Sequence, residues 1–351
     1  MLGRGPNRYL YSSYLRLRFE SLTAHPNHVP RSPQGPKEVY NCCVSRIVLY
    51  REFQPITVIH FGEDFMKTLS ISQKQLDEFD RDGFVIIRNI LSFDELPHLH
   101  ECYERLFRGD FETGLSPDEV NWRMGLSDPT VTRQICNAWK ADRRLAAVVL
   151  REDIGEACAL LGRWDGARLN QDNVFWKPPG ARAIGFHQDS AYQDWTVPGE
   201  MVSCWIALDP TWAEGGTVEY VLGSHRWGRG EKNVEFHAPE DPFEDVREAA
   251  RRAGIGTPNR VPIEVNAGDG VFHHGWTWHG SDTNDSSLPR RSLVAHCMPA
   301  NSKFHPNNVN SIYTRYKRSG ETTMDESFFP ILWRDDEYRS AFLDAYVAQF
   351  R

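Results

Sequence analysis

The sequence lacks the features that mark membrane-spanning, disulfide-stabilised and nucleic-acid-binding proteins. None of its apolar stretches approaches the roughly eighteen residues that a membrane span needs. Its seven cysteines are an odd set without a Cys-x-x-Cys pair, which fits reduced thiols better than a disulfide framework. The formal net charge of -8 argues against a nucleic-acid or anionic-membrane partner. We therefore expect a cytoplasmic protein with no membrane span and no nucleic-acid partner.

Acidic residues are scarce at the start of the chain, where Glu20 and Glu38 are the only two among the first fifty positions, against seven basic residues. Four prolines between positions 26 and 36 break any long helix there. An Arg-rich, acid-poor leader of this kind is typical of an organellar transit segment. The alternatives, which we prefer, are a poorly ordered extension or a start codon assigned too early, with Met66 as the natural beginning. We expect an extension over residues 1–65 and one domain over 66–351.

Helix signals become regular after this leader. Helix-capping sequences, a β-branched run and leucine and alanine at helical spacing follow one another between about residues 70 and 162. The predicted elements are a helix after the capping box Ser72-x-x-Gln75 to about Gly83, a strand over FVIIRNI (84–90), a helix after the cap Ser92-x-x-Glu95 to about Phe107, and one helix over 140–161 with Gly162 as its stop.

Short strands separated by Gly, Pro and Asp turns dominate the chain after Gly162. This pattern predicts a sandwich or a jelly roll. The charged stretch 231–256 predicts a helical surface insertion or lid. The predicted strands are LNQDNVFWK (169–177), IGFHQDSAYQ (184–193), MVSCWIAL (201–208), GTVEYVL (216–222), VPIEV (261–265), GVFHH (270–274) and RSLVAHCM (291–298).

Three residues have the types and spacing of a mononuclear metal site. His187 and Asp189 form a His-x-Asp pair in GFHQDSAYQDW, and His279 follows about ninety residues later in WTWHGSDTN. Residues i and i+2 of a strand point to the same face, so the pair can reach one metal while His279 arrives from a second strand alongside. Two imidazoles and one carboxylate leave open positions on Fe(II). An aspartate within a strand supports the site, because a buried carboxylate is costly unless it is paired or metal-bound.

Other histidines compete for these roles. His273, six residues before His279, is the second choice as a ligand. His274 and His296 are expected to pack or to support the ligands, as most strand histidines do. His225, in GSHRWG, is expected to organise a turn.

The region from about Ser70 to about Pro299 resembles the phytanoyl-CoA dioxygenase family of Fe(II)/2-oxoglutarate oxygenases. The resemblance rests on an ordered set of motifs: DGFVIIRNIL, QDNVFWKPPG ahead of HQD, CWIALDPTWAEGGTVEYVLGSH, and GDGVFHHGWTWHGSDTN followed by PRRSLVAHCM. It implies an α+β domain with a mainly β core, in which a double-stranded β-helix (jelly roll) at about 165–300 is flanked by N-terminal helices.

The resemblance also implies roles for individual residues. In this family the iron is held at the positions that match His187, Asp189 and His279, the catalytic metal ligands. Arg290, eleven residues after His279, matches the arginine that binds the distal carboxylate of 2-oxoglutarate, and a planar guanidinium suits that two-pronged grip. Arg291 is the rival; neighbouring strand residues face opposite sides, so only one arginine can point inward. The spacing favours Arg290.

Further implied contacts complete the expected site. Gln171 and Ser281 match positions that contact the cosubstrate, and Trp205 matches an aromatic wall. The implied cofactors are Fe(II), 2-oxoglutarate and O2, and the implied reaction is hydroxylation of a small organic molecule with release of succinate and CO2. Halogenation is not expected, because halogenating relatives replace the carboxylate ligand and this chain keeps Asp189.

Two questions stay open at the level of sequence. A CoA thioester would need a basic surface, which Arg226 and Arg229 could supply, yet the acidic chain favours a small molecule without CoA. Two other functional classes also remain: a cupin-like jelly-roll metalloenzyme that does not use 2-oxoglutarate, and a non-catalytic binding member of the family.

Overall fold

The structure, a computed structural model, describes residues 69–232 and 237–350 together with two short strands nearer the start of the chain. These strands, β1 (Tyr50–Arg51) and β2 (Gln54–Pro55), pair with each other in antiparallel orientation. The rest of the expected extension 1–65, and the expected start at Met66, lie outside the described residues. Over the described ranges, no helix is both long enough and apolar enough to cross a membrane.

Four of the six α-helices among the described residues precede β6 in the chain, in agreement with the expected N-terminal helices. Among the described residues the α-helices are α1 (Gln73–Asp82), α2 (Leu96–Arg108), α3 (Arg143–Val149), α4 (Glu152–Gly162), α5 (Glu244–Arg252) and α6 (Leu343–Val347). The strands that follow β1 and β2 are β3 (Phe84–Ile87), β4 (Glu119–Val120), β5 (Arg133–Cys136), β6 (Gly166–Lys177), β7 (Ile184–His187), β8 (Thr196–Val197), β9 (Val202–Ala207), β10 (Val218–Val221), β11 (Arg260–Pro262), β12 (Gly270–His274), β13 (His279–Ser281), β14 (Arg290–Pro299), β15 (Lys303–Phe304) and β16 (Ile331–Arg334).

Two antiparallel sheets form the body of the domain within the described residues. The larger has the order β3-β12-β9-β14-β6-β5-β4, with β16 also paired to β6, and the smaller has the order β11-β10-β13-β7. Apolar side chains from both sheets, including Trp205, Tyr220 and Val294, meet in one buried cluster. The other face of the larger sheet packs against α2, α3 and α4 through a second apolar core. The expected mainly β core flanked by helices is confirmed.

Helix α1 begins and ends where the local sequence predicts. The Ser72 hydroxyl accepts from the Gln75 backbone N–H, and the Gln75 side chain accepts from the Ser72 N–H. This reciprocal capping box satisfies donors that a helix start leaves unpaired. Gly83 ends the helix at φ 85°, a conformation that glycine adopts without steric cost. The predicted bounds are confirmed.

Two other helix predictions were wrong in detail. Helix α2 begins at Leu96, so Ser92 lies outside it; Glu95 holds the N-cap position without a side-chain cap, and Pro97 fixes the first turn. The single helix predicted over 140–161 is two helices. The break comes at Arg151, whose backbone is extended at ψ 137° and whose side chain bonds Asp153.

Gly162 does not stop helix α4 in the way predicted, because it is the last helical residue and Arg163 takes the left-handed cap conformation at φ 57°. The glycine is needed for packing instead. A Cβ at position 162 would lie 2.4 Å from the indole ring of Trp164.

Most predicted strands are confirmed with shifted ends. β12 has the predicted bounds, and β6, β9, β10 and β14 fall within two or three residues of theirs. The strand predicted over 184–193 ends at His187 and is followed by a 3-10 helix, Asp189–Tyr192. The predicted helical insertion contains α5, and residues 233–236 of it lie outside the described ranges.

Candidate metal centre

Strand pairing brings the two predicted histidine ligands together. β13 runs antiparallel to β7, and His279 lies directly opposite His187. Asp189 is the first residue of the 3-10 helix rather than a mid-strand residue, so that part of the prediction was wrong. Gln188 keeps an extended backbone at φ -121° and ψ 124°, and Asp189 therefore still projects to the side of His187. Its Oδ1 lies 3.6 Å from Nε2 of His187 and 3.5 Å from Nε2 of His279.

Both imidazoles are held in the orientation that a metal ligand needs. Nδ1 of His187 lies 2.9 Å from the Gly185 carbonyl oxygen, and Nδ1 of His279 lies 3.0 Å from that of Thr277. Donation from Nδ1 to a carbonyl leaves the lone pair on Nε2, the atom that faces Asp189. Burial lowers the pKa of each of these histidines to about 4. Both rings are therefore neutral at physiological pH.

The second carboxylate oxygen of Asp189 is fixed by neighbours of its own. Oδ2 lies 2.9 Å from Nε2 of His273 and 3.0 Å from the Ser203 hydroxyl. Burial raises the pKa of Asp189, but the adjacent imidazoles of His279 and His296 and these hydrogen bonds outweigh burial and hold it well below the ordinary value. The carboxylate is therefore ionised, with Oδ2 engaged and Oδ1 directed at the two ligand histidines.

The hydrogen bonds behind Asp189 extend one residue further. The Tyr220 hydroxyl lies 2.9 Å from Nδ1 of His273, and on the other side Ser203 lies 2.7 Å from Nδ1 of His296. His273 uses one ring nitrogen to accept from Tyr220 and the other to donate to Asp189. This arrangement leaves it no lone pair for a metal, which argues against the rival ligand considered above. His296 takes the supporting place expected of it.

The donor set fits a divalent transition metal. Two neutral imidazoles and one ionised carboxylate with a tied second oxygen are the ligands of the two-histidine, one-carboxylate centre. Among the described residues, His187, Asp189 and His279 form the group of metal-ligating side chains whose candidate atoms all lie within 4.8 Å of one another. They line a cavity of about 380 Å³ between the two sheets.

Arg290 and Arg291 differ in their surroundings: Arg291 is paired with a carboxylate, and Arg290 lines the cavity. Arg291 makes a two-pronged salt bridge with Asp209, Nε to Oδ2 at 2.9 Å and Nη2 to Oδ1 at 2.7 Å. Arg290 lines the cavity with only 5 % of its surface exposed, and among the described residues its guanidinium has one hydrogen bond, to the Ser292 hydroxyl at 3.2 Å. Burial lowers its pKa to about 10. A buried guanidinium without a carboxylate partner provides a binding site for an anionic ligand.

Lys177 adds a second cation beside Arg290, and sequence analysis missed it. It lies opposite Arg290 in the pairing of β6 and β14 and is fully buried. Its ammonium donates to the Ser281 hydroxyl at 2.9 Å and to the Asp282 carbonyl. Burial, reinforced by the charge of Arg290, lowers its pKa well below the ordinary value. A ligand carboxylate at this end of the cavity would relieve both cations.

The structure brings all seven predicted site residues to the same cavity, although the individual roles stay predictions. Besides the three ligands and Arg290, it is lined by Gln171 on β6, Ser281 on β13 and Trp205 on β9. Alternation along β6 could have found two more lining residues, because Asn173 and Phe175 share the face of Gln171. Asn173 donates to Nε2 of His296 at 3.0 Å. It thereby completes the support of Asp189.

The basic residues considered for CoA are engaged elsewhere. Arg226 donates to the backbone carbonyls of Asp80 and Arg81, each at 2.8 Å. Arg229 lies over the ring of Trp276 at 5.0 Å. Neither is among the residues that line the cavity.

Comparison with known proteins places this geometry among oxygenases. The chain is 28% identical over 241 residues to the ectoine dioxygenase of Nocardia farcinica, covering 64% of this chain and 76% of that protein. It is 24% identical to the dioxygenase olcK of Penicillium canescens, covering 63% and 68%.

Solved structures share the fold. The non-haem alpha-ketoglutarate-dependent carbocyclase SnoK, from nogalamycin biosynthesis, matches with a TM-score of 0.58 at 22% identity, over 75% of this chain and 96% of that chain. EctD from S. alaskensis, solved with 2-oxoglutarate and 5-hydroxyectoine, matches with a TM-score of 0.56 at 18% identity, over 80% and 93%. The phytanoyl-CoA dioxygenase (PhyH) family profile matches residues 79–292, which is more than half of the sequence. The chain belongs to the phytanoyl-CoA dioxygenase family.

Proposed function

We propose that this protein is a non-haem Fe(II)- and 2-oxoglutarate-dependent dioxygenase that hydroxylates a small organic molecule. The observation that carries the proposal is one cavity that contains both the His187–Asp189–His279 cluster and the buried, carboxylate-free guanidinium of Arg290. A cupin-like enzyme that does not use 2-oxoglutarate has no need of that guanidinium. A binding protein without activity has no need of the four groups together.

The proposed function gives individual residues roles in binding Fe(II) and 2-oxoglutarate. His187 and His279 would bind Fe(II) through Nε2, and Asp189 through Oδ1. Arg290 would grip the C5 carboxylate of 2-oxoglutarate, with Lys177 and Ser281 beside it. Gln171 would contact the cosubstrate and Trp205 would form part of the wall. When bound, the metal would supply activation of O2, coupling conversion of 2-oxoglutarate to succinate and CO2 to hydroxylation of a C–H bond.

Two finer assignments accompany this function. The two antiparallel sheets, packed through a shared apolar cluster, support the double-stranded β-helix as the fold of the core. The cysteines of the described residues, all free and buried, support a reducing compartment such as the cytoplasm.

The substrate is assigned to molecules without CoA. Phosphates of a CoA thioester need cations at the cavity, and Arg226 and Arg229 are held elsewhere. The charged side chains that line the cavity among the described residues are Glu119, Asp189, Lys232 and Arg290. Two of these four are acidic, which disfavours a polyanion.

Anaerobic titration of the Fe(II) protein with 2-oxoglutarate tests the function. We expect the metal-to-ligand charge-transfer band of a chelated cosubstrate, followed by succinate release when air and a substrate are added. A wild-type protein that binds Fe(II) but develops no band would point to the cupin-like class. A band without succinate, across a broad set of small molecules, would point to the non-catalytic class.

A further inference from the structure

The far wall of the cavity comes from a segment outside the matched family region. The family profile ends at residue 292, yet Asn310, Ser311, Ile312 and Tyr313 line the same cavity as the candidate metal ligands. The segment His305–Tyr316, which contains these four residues, lies beyond the matched range and contributes one wall of the cavity.

Tyr313 is the best-fixed residue of this segment. Its side chain is buried, and its ring stacks on Trp195 with centroids 4.6 Å apart and planes at 28°. Phe329 packs edge-on against the same ring at 5.9 Å. Stacked and edge-on aromatic pairs hold a ring in one orientation. Tyr313 thus forms a rigid wall rather than a surface side chain.

The hydroxyl of Tyr313 contacts strand β6, which lines the same cavity. It donates to Oε1 of Gln171 on β6. The amide nitrogen of Gln171 has no acceptor within the part of the chain that the structure describes. Two further amides, Gln134 on β5 and Asn173 on β6, line the same side and bond each other at 3.3 Å. The cavity therefore offers amides on one side and an aromatic wall on the other.

The charges around this part of the cavity limit the chemical class of ligand that it can bind. Asp189 and Arg290 are assigned to the metal and the cosubstrate under the proposed function. Lys232 is exposed and lies 3.9 Å from Asp194, and Glu119 is exposed and accepts from the Cys136 thiol at 3.5 Å. Among the described residues, the space between the amides and Tyr313 therefore carries no buried charge. A charged group buried there would lose its hydration without gaining a buried counter-ion, which disfavours binding of charged molecules.

We propose that the part of the cavity lined by Tyr313, Gln134 and Asn173 is the substrate subsite, that it takes a small uncharged molecule rich in hydrogen-bonding groups, and that Tyr313 determines its specificity. This proposal rests on the proposed function. Tyr313 is a specificity residue rather than a catalytic one, because its contacts are with Gln171 and the aromatic cluster.

Matched probes test the class of substrate. Methyl α-D-glucopyranoside is neutral, glucuronate carries a carboxylate and glucosamine carries an ammonium on the same ring; N-acetylprolinamide, N-acetylproline and prolinamide form a second such set. Binding is measured by saturation-transfer NMR on the protein loaded with 2-oxoglutarate and Zn(II) in place of Fe(II). We expect transfer to at least one neutral probe and weaker transfer to its charged counterparts. Transfer only to charged probes, or to none of the six, overturns the proposed class.

Variants of two tyrosines test the wall. Tyr313→Ala should abolish transfer to the neutral probe, and Tyr313→Phe, which loses one hydrogen bond, should weaken binding by about 3- to 10-fold. Tyr316→Phe is the matched control, because Tyr316 is on the same 3-10 helix but its hydroxyl contacts Asp118 and Lys140 instead of the cavity. Equal binding by wild type and Tyr313→Ala would overturn the role of Tyr313.

The 2-oxoglutarate charge-transfer band of each anaerobic Fe(II) variant separates this proposal from the function. We expect the same band at saturating 2-oxoglutarate in the wild type, Tyr313→Phe and Tyr316→Phe, and the same 2-oxoglutarate affinity in the wild type and Tyr316→Phe; the affinity of Tyr313→Phe is not part of the test, because the Tyr313 hydroxyl donates to Gln171. Absence of the band in the wild type contradicts the proposed function. A normal band with the wrong probe preference contradicts the subsite alone. A band lost in Tyr313→Phe would make this residue part of the cosubstrate site and overturn its assignment to specificity.

Discussion

The two ends of the cavity are built by different means. At the metal end, His187, Asp189 and His279 come from paired strands and the turn that follows, and each has a hydrogen-bonding partner behind it. At the far end, the wall around Tyr313 is a loop with one 3-10 turn, held by aromatic stacking. The comparison shows two ways of fixing side chains: the candidate metal ligands are fixed by strand pairing and hydrogen bonds, and the proposed specificity residue Tyr313 is fixed by aromatic packing in a loop.

The largest effect is expected from removal of a metal ligand. His279→Ala should abolish turnover and iron binding while the domain stays folded, because the ligands are not part of the apolar core. Iron content by mass spectrometry of the reconstituted protein checks this. His274→Ala, a histidine outside the cavity lining, is the control and should retain iron. Undiminished iron in His279→Ala would return attention to His273.

Replacement of Arg290 by lysine should give the next largest effect, with Arg291→Lys as the comparison. Arg290→Lys removes the two-pronged grip on 2-oxoglutarate and should cost about 2–5 kcal/mol of cosubstrate binding, the scale for disrupting a buried charge pair. Arg291→Lys should change it little, because Arg291 is already bound to Asp209. Titration of the charge-transfer band measures both, and the reverse order of effects would exchange the assignments. Iron affinity should survive in both variants.

A smaller loss should follow from removing support behind the carboxylate ligand. Ser203→Ala deletes the donor to Oδ2 of Asp189 and should weaken iron binding by about 10- to 100-fold. Ser302→Ala is a matched control, since Ser302 is also buried but its hydroxyl has no hydrogen-bond partner among the described residues. Competition with a chelator gives both affinities. Equal affinities would show that the metal end does not depend on its supporting shell.

The smallest effect is expected at the far wall. The Asn310 side chain accepts from the backbone N–H groups of Ile312 and Tyr313 at 2.7 and 3.0 Å, capping the 3-10 turn. Asn310→Ala should lower the free energy of unfolding by about 0.5–2 kcal/mol, a shift of a few degrees in Tm. Iron and 2-oxoglutarate affinities should stay unchanged. A loss of either would mean that the wall also supports the metal end.

The features that sequence predicted correctly are those whose partners are close in the chain or whose spacing is periodic. The Ser72–Gln75 capping box joins residues three positions apart, and β12 coincides with the short run GVFHH that follows the turn residues Gly268 and Asp269. The spacing of His187, Asp189 and His279 survived even though Asp189 left the strand. Extended backbone at Gln188 was sufficient to keep both side chains on one side.

The features that sequence missed depend on partners far away in the chain. The split of the helix over 140–161 follows from the side chain of Arg151, which bonds the Ile90 carbonyl sixty-one residues earlier. Lys177 is the last residue of β6, and nothing nearby in the sequence indicates that Arg290 will lie opposite it. The wall at Tyr313 has no motif, because its geometry comes from stacking on Trp195, more than a hundred residues earlier.

Strand β13 connects the candidate metal site to the proposed 2-oxoglutarate site. Its three residues include the candidate metal ligand His279 and, two positions later, Ser281 beside Lys177. Gly280 lies between them against β7, where an added Cβ would be 2.6 Å from Cδ2 of Phe186 and 2.8 Å from the Ile184 carbonyl oxygen. Any displacement of this strand must therefore move both residues together. Metal and 2-oxoglutarate affinities should then show reciprocal thermodynamic linkage, and a Gly280→Ala substitution should reveal it by weakening both at once.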